Sequence, residues 1–351
     1  MRLGRTELEV SRIGFGGLPI QRLRAPEAES LVRHAFESGV TFFDTARAYS
    51  TSEERIGRAL HEVRRQCVFA TKTLARTRSD AEADLADSLR ALRSEYIDLW
   101  QLHCISDHDS YEQSVAPGGV LEAAARAVEE GKVRHIGVTC HALDVAVRAV
   151  REDRFSTVQV PINALSPEPI DRLLPAAQVQ DVGVIAMKPF AGGAIEDARL
   201  AIGFLLQFPT VLPIPGIEAR TEIDEIQALT DAGAPLSKQE LRRIDDLRAD
   251  LGTRFCRRCG YCLPCPEGVP IPIVLNLMSM FRRVSESRFR VRGAEILEMA
   301  GSCRGCGRCE ERCPYDLPVR DMLEESRLFY AKTLSAGSSE EERHDDDGTR
   351  A

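Results

Sequence analysis

From Arg12 onward, short and nearly continuous apolar runs alternate with amphipathic stretches. The apolar runs are RIGFG (12–16), TFFDT (41–45), CVFAT (67–71), YIDLWQLH (96–103), HIGVT (135–139), TVQVP (157–161), GVIAMK (183–188) and TVLPIP (210–215). Between them lie segments with helical spacing at 26–38, 52–61, 80–92, 120–130 and 221–232. Pro26 stands near the start of the first, and Ser52 is in place to N-cap the second. Strands that are apolar along both faces, alternating with helices, predict a parallel sheet covered outside by helices. Eight such units in a stretch of roughly 250 residues predict a closed (β/α)8 barrel rather than an open doubly wound sheet. GFGG (14–17) does not have the G-x-G-x-x-G spacing that an open dinucleotide-binding sheet places after its first strand.

RLGRTELEVSR (2–12), ahead of the first unit, reads as a short hairpin plugging one end of the barrel. The amphipathic stretch 237–251 closes this portion, which sets a first domain at 1–251 and a second at 252–334. The polar, mostly acidic remainder, 335–351, has little to bury and is expected to be a disordered tail.

Hydrophobic residues make up 43% of the chain and charged residues 28%, as in ordinary globular enzymes. The net charge of −8 argues against general nucleic-acid binding, which needs a basic face. With no long apolar run, no membrane association is expected, and a cytoplasmic location follows. In a reducing compartment, regularly spaced cysteines are metal ligands sooner than disulfides. Eight of the eleven cysteines fall after residue 255.

Barrels of this kind carry their chemistry at the carboxyl ends of the strands. Asp44 ends the second run, Lys72 follows the third, His103 ends the fourth, and Tyr49 lies five residues past Asp44. Singly, these could be a helix cap, a surface charge and a core histidine. Together they form a proton-transfer device. A tyrosine is a weak acid at neutral pH, and an adjacent ammonium favours its phenolate. The aspartate would hold the lysine, and the histidine would orient a carbonyl oxygen.

GVTFFDTARAYSTSEERIGRAL (39–60), FATKT (69–73) and DLWQLH (98–103) resemble signature segments of the aldo/keto reductase family. The resemblance implies Tyr49, Asp44, Lys72 and His103 as catalytic tetrad. It also implies a nicotinamide cofactor in extended form, which would contact Gly16, Asp44, Thr139, Gln159, Met187, Lys188, Pro189, Gly216, Glu218, Arg220 and Glu225. The substrate would be a small carbonyl or alcohol. Thr139 and Cys140 stand where family members often have Ser-Asn, and Met187 stands where many have a stacking tyrosine. Glu218, where a 2′-phosphate contact is often found, leans towards NADH, although Arg220 could offset it. NADH against NADPH stays open.

CRRCGYCLPCP (256–266) and CRGCGRCEERCP (303–314) nearly repeat one another. Cys303, Cys306, Cys309 and Cys313 have the spacing of bacterial ferredoxins that bind [4Fe-4S] clusters, and Cys256, Cys259, Cys262 and Cys265 differ by one residue before the last. Zinc in two four-thiolate sites is the rival, but zinc ribbons space their cysteine pairs further apart. In two-cluster ferredoxins the last cysteine of each motif serves the other cluster. Carried over, Cys313 would join Cys256, Cys259 and Cys262, and Cys265 would join Cys303, Cys306 and Cys309. The intervening 266–302 is expected to form helices that pack the loops together. A reductase barrel followed by this domain resembles the ferredoxin-containing aldo/keto reductases.

Three readings follow. The barrel reduces a carbonyl with NAD(P)H while two clusters are structural or regulatory. Alternatively, the clusters exchange electrons with a ferredoxin-like redox partner. In the third, the chain is chiefly an electron-transfer and binding module, which the complete tetrad speaks against.

Overall fold

The computed structural model describes residues 1–105, 107–251, 254–281 and 286–344. Two compact units are present, Met1–Leu251 and Gly252–Ala351.

In the first unit, eight parallel strands stand in chain order, β1 (Phe15–Gly16), β2 (Phe42–Asp44), β3 (Val68–Thr73), β4 (Ile97–Ile105), β5 (Val133–Cys140), β6 (Thr157–Pro161), β7 (Gly183–Met187) and β8 (Val211–Ile214). Every predicted run forms its strand. The barrel closes where β1 meets the end of β8, through a parallel bridge between Gly16 and Gly216 and bonds from Gly14 N–H to Pro213 O and Gly16 N–H to Pro215 O. A Cβ on Gly16 would lie 2.6 Å from Pro215 O, so closure itself demands glycine there.

Period-two alternation sorts the interior into levels. At the amino-terminal end of the strands, Phe42, Val68, Ala70, Leu99, Ile185 and Leu212 pack with Leu3 and Val10 of the leading segment. That segment forms one antiparallel bridge, Arg2 to Glu9, around a 3-10 turn at Gly4–Thr6, and its apolar side chains plug the barrel. Two residues further along the same faces come Asp44 after Phe42, Lys72 after Ala70, and Gln101 then His103 after Leu99. The polar level follows from strand register.

Helices cover the outside, including Ala25–Glu37 with Pro26 in its first turn, Ser52–Leu60, Arg78–Ala91, Val120–Glu129, Arg220–Ala232 and Lys238–Leu251. Ser52 is not the predicted cap: Thr51 holds that position, and the fully buried Ser52 hydroxyl instead bonds Gly17 O at 2.7 Å and Thr45 Oγ1 at 2.8 Å. Tertiary partners outcompete the local cap. Asp107 caps a further helix, His108–Val115, accepting from Ser110 N–H at 2.7 Å.

The second unit is helical. Ile271–Val274, Leu277–Phe281, Glu286–Gly301 and Val319–His344 pack through Val274, Leu277, Phe289, Ile296, Leu323 and Tyr330. A Cβ on Gly293 would meet Tyr330 Cε2 at 2.2 Å, so glycine allows these two long helices their close approach. The last helix runs to His344, ten residues into the stretch expected to be without structure. The remainder of that expected tail, 345–351, lies outside the described residues. Among the described residues, no helix is long and apolar enough to cross a membrane.

Candidate functional site

Asp44 and Lys72 are brought together by adjacent strands. Lys72 Nζ donates to Asp44 Oδ1 at 2.5 Å and to Thr45 O at 2.6 Å, with both charged side chains almost fully buried. Gln101 Nε2 donates to the second carboxylate oxygen at 3.3 Å, and Gln159 also bonds this carboxylate. Burial pushes the Asp44 carboxyl up, while the Lys72 ammonium and the two amides pull it back.

The loop after β2 turns back on itself through Tyr49 N–H to Ala46 O and Ser52 N–H to Tyr49 O, both at 2.9 Å. This brings the half-exposed Tyr49 ring to 5.1 Å from Lys72 Nζ, measured to the ring centroid. The buried His103 ring meets it edge-on, with centroids 5.8 Å apart and planes at 79°. All four residues singled out from the sequence therefore converge.

Two supports were missed. Gln101, two residues before His103 in DLWQLH, shares its strand face, and that alternation could have revealed it. Buried Glu53 accepts from Thr71 Oγ1 at 2.7 Å and pairs with Arg47, which ties the tyrosine loop to β3.

The expected cofactor positions are spread around the mouth. Gln159 Oε1 is buried with no hydrogen-bond partner, as is Gln101 Oε1. An unsatisfied buried carbonyl requires a donor, and the carboxamide of a nicotinamide would supply one. Thr139 Oγ1 accepts from Cys104 N–H at 2.8 Å, which leaves its hydroxyl proton to give. Lys188 adopts a left-handed φ of 56°, and its carbonyl accepts from Asn163 Nδ2 at 3.0 Å; Met187 precedes it at the end of β7, and buried Pro189 follows.

Beyond exposed Gly216, the Glu222 carboxylate accepts Glu218 N–H at 2.7 Å and Ala219 N–H at 3.1 Å. Glu222 was not foreseen. It fills the amides that an anion would otherwise seek at a helix start. The Glu218 carboxylate lies 3.7 Å from Arg22, Arg220 reaches Ser30 Oγ, and Glu225 is exposed.

In the second unit, Cys262, Cys265, Cys303, Cys306 and Cys309 line one cavity, together with Arg304, Arg308 and Glu267. Cys313 of the second motif lies close enough to Cys259 of the first to influence its thiol, as Cys309 does that of Cys262. The two loops share a backbone rhythm. Arg258 (φ 60°) and Gly260 (φ 85°) in the first match Gly305 (φ 68°) and Gly307 (φ 78°) in the second. Alternating left-handed residues turn successive N–H groups inward, a concavity suited to an anionic iron-sulfur cage. Burial raises the Cys259 and Cys309 thiols and pushes Cys262 up to about 12. Among the described residues, no three His, Cys, Asp or Glu side chains gather tightly enough around a single ion.

The barrel's remaining cysteines are quieter. Cys67 and Cys140 are buried, and burial raises both thiols, whereas Cys104 is half-buried beside His103.

The family model described as "Aldo/keto reductase family" matches residues 12–200, more than half the chain.

This chain belongs to the aldo/keto reductase family.

A second model, "4Fe-4S dicluster domain", matches residues 255–318, so the reductase barrel is followed by a ferredoxin-type domain. The barrel is similar to L-galactose dehydrogenase of Arabidopsis thaliana, 31% identical over 218 residues, which covers 56% of this chain and 66% of that protein. It is also similar to the probable aldo-keto reductase 1 of Glycine max, 28% identical over 55% of this chain and 60% of the relative. The chain thus spans less than two thirds of these relatives' length. Among solved structures, an aldo-keto reductase of Bacillus halodurans in its holo form superposes with a TM-score of 0.61 at 22% identity, over 70% of this chain and 95% of that one. An aldo/keto reductase of Klebsiella pneumoniae in complex with NADP and acetate gives 0.59 at 24%, over 71% and 94%.

Proposed function

We propose that the barrel interconverts a small carbonyl compound and its alcohol with a nicotinamide cofactor, Tyr49 exchanging the proton on oxygen. The observation that carries this reading is the placement of Tyr49 between the Lys72 ammonium and the His103 ring. A positive charge beside the phenol stabilises the phenolate left when its proton moves to the carbonyl oxygen. Asp44 holds the lysine, and His103 orients that oxygen by hydrogen bonding. A bound nicotinamide supplies or takes up the hydride, and Gln159 Oε1 would accept from its carboxamide. The relationship to L-galactose dehydrogenase supports an alcohol/carbonyl couple.

For the nucleotide's far end we infer a preference for NADH. Glu218 and Glu222 would set two carboxylates beside a 2′-phosphate, outweighing Arg22 and Arg220, while a free ribose hydroxyl can donate to a carboxylate.

We further propose that the cysteine unit holds two [4Fe-4S] clusters with crossed ligation. Cys256, Cys259, Cys262 and Cys313 would form one set; Cys265, Cys303, Cys306 and Cys309 the other. Clusters so held supply one-electron chemistry. The second reading, exchange with a ferredoxin-like partner, is favoured by exposure of Cys303 and Cys306 beside exposed Arg304, Arg308 and Arg312. That loop would attract an acidic protein.

An anaerobic experiment tests these together. Iron and sulfide are measured on purified protein, then NADH or NADPH is added with a panel of aldehydes. Carbonyl-dependent cofactor oxidation that falls by about 10²-fold or more in Tyr49→Phe supports the reductase. Bleaching of the visible cluster absorbance by cofactor or substrate supports electron exchange. Absence of cofactor binding and of bleaching would sink both.

A further inference from the structure

We propose that Arg76 is a positioning residue of the barrel mouth, whose guanidinium pins the backbone bulge after His103 and so fixes the imidazole against Tyr49. The inference rests on the reading above that His103 orients the reacting oxygen. Arg76 lies in the loop after β3, and it was not among the residues singled out from the sequence. Its Nη1 donates to Leu74 O at 3.0 Å and Ala75 O at 3.1 Å, and its Nη2 to His103 O at 2.8 Å and Cys104 O at 3.0 Å. One planar group thereby ties the carboxyl end of β4 to the loop that follows β3.

The segment it holds is irregular. The pairing of β4 with β5 shifts register between Leu102 and Ile105. Within that bulge Cys104 has a φ of 54°, a left-handed conformation that non-glycine residues adopt only when their surroundings enforce it. Two contacts supply the enforcement. Thr139 Oγ1 takes the Cys104 N–H at 2.8 Å, and Arg76 takes the carbonyls on either side of the His103–Cys104 peptide's junction with Ile105.

Removing Arg76 would leave those carbonyls without their partner and let the bulge relax, swinging His103 away from its 5.8 Å contact with Tyr49. A lysine cannot replace it. An ammonium is a point charge, whereas four carbonyls spread over two segments need the rigid arginine fork. Four hydrogen bonds of this guanidinium go to main-chain oxygens, which marks it as a clamp, with Asp107 near enough to add electrostatic attraction.

The test uses the full-length, cluster-loaded protein as wild type, Arg76→Met, Arg76→Lys and Tyr49→Phe. The first readout needs no turnover: alkylation of Cys104 by iodoacetamide, followed by peptide mass spectrometry. Arg76→Met is expected to speed modification of Cys104 by about tenfold, with buried Cys67 and Cys140 still protected. The second readout is aldehyde reduction. There kcat should fall by about tenfold or more with the KM for the nicotinamide unchanged, and added guanidinium ion should restore part of the rate in Arg76→Met but none in Tyr49→Phe.

Arg76→Lys should behave like Arg76→Met; it carries the test if the methionine variant does not fold. Wild-type Cys104 reactivity in the variants, or full activity with lysine at position 76, would overturn the clamp. If wild-type protein reduces no aldehyde, the reductase reading fails, while the alkylation result still decides the role of Arg76.

Discussion

Lys72 donates to Asp44 across 2.5 Å at a depth where neither side chain meets water. Such a pair is tolerated because each charge offsets the other's desolvation, with Thr45 O and the Gln101 and Gln159 side chains completing the bonding, and removing one leaves the other's charge uncompensated. Lys72→Met is therefore expected to destabilise the barrel by about 3–5 kcal/mol, with much of the loss recovered when Asp44→Asn is added. Trp100, the single tryptophan, is buried in β4, so urea unfolding followed by its fluorescence reports on the barrel alone. Equal losses in the single and double variants would mean that the pair is not coupled. Neither variant should reduce aldehydes.

The crossing of cysteine ligands yields an asymmetric result. Cys313→Ala should damage the cluster of Cys256, Cys259 and Cys262, and Cys265→Ala the cluster of Cys303, Cys306 and Cys309. Each cavity can be reported independently by low-temperature electron paramagnetic resonance of the reduced protein, alongside iron content. Loss of the Cys303–Cys309 signal on removal of Cys313 would show that each motif serves itself.

Cofactor choice can be read from binding alone. Wild type should bind NADH more tightly than NADPH, since like charges brought together across an interface are strongly disfavoured. Replacing Glu218 with serine and Glu222 with glutamine should move the ratio of dissociation constants towards NADPH by about tenfold or more. Fluorescence titration of the reduced cofactors checks this, and an unchanged ratio would place the 2′ position elsewhere.

Acid stability has a local contributor at the barrel's final helix. Glu240 accepts from Arg199 Nε at 2.8 Å and from Ser237 N–H at 2.6 Å, and these bonds depress its carboxyl from 4.5 to about 2. A depressed folded-state value means that the stabilisation is complete above about 4.5 and is lost as the pH falls towards about 2. Glu240→Gln should therefore be less stable than wild type near neutrality, with the gap closing on acidification. Urea midpoints across that range test the sign; because the pair is partly solvated, the gap is small.

Much of the barrel was legible because its strands are apolar on both faces and its polar residues cluster at one end of each. Asp44, Lys72 and His103 could be found by reading the last residues of successive runs. Gln101 was legible in principle, by alternation from His103, but glutamine in an apolar strand carries no distinctive signal. Ser52 looked like a cap because only local neighbours are visible in a sequence, while its actual partners are Gly17, thirty-five residues away, and Thr45. The helix His108–Val115 was not legible because two turns are too short for periodicity to announce. The helical extension to His344 was hidden by a composition that suits coil and exposed helix alike.

By itself, the sequence determined the order and number of strands, the polar residues at their ends and the ferredoxin-type spacing of the cysteines, because these depend on residue identity and short-range period. Only the tertiary structure decided which of those residues meet. Strand register sets Lys72 against Asp44, a turn swings Tyr49 over them, and packing of the cysteine loops brings cysteines of both motifs, Cys262 and Cys265 with Cys303, Cys306 and Cys309, around one cavity. The physical reason is that these contacts join segments far apart in the chain. Their geometry is fixed by barrel closure and helix packing, which no local pattern encodes.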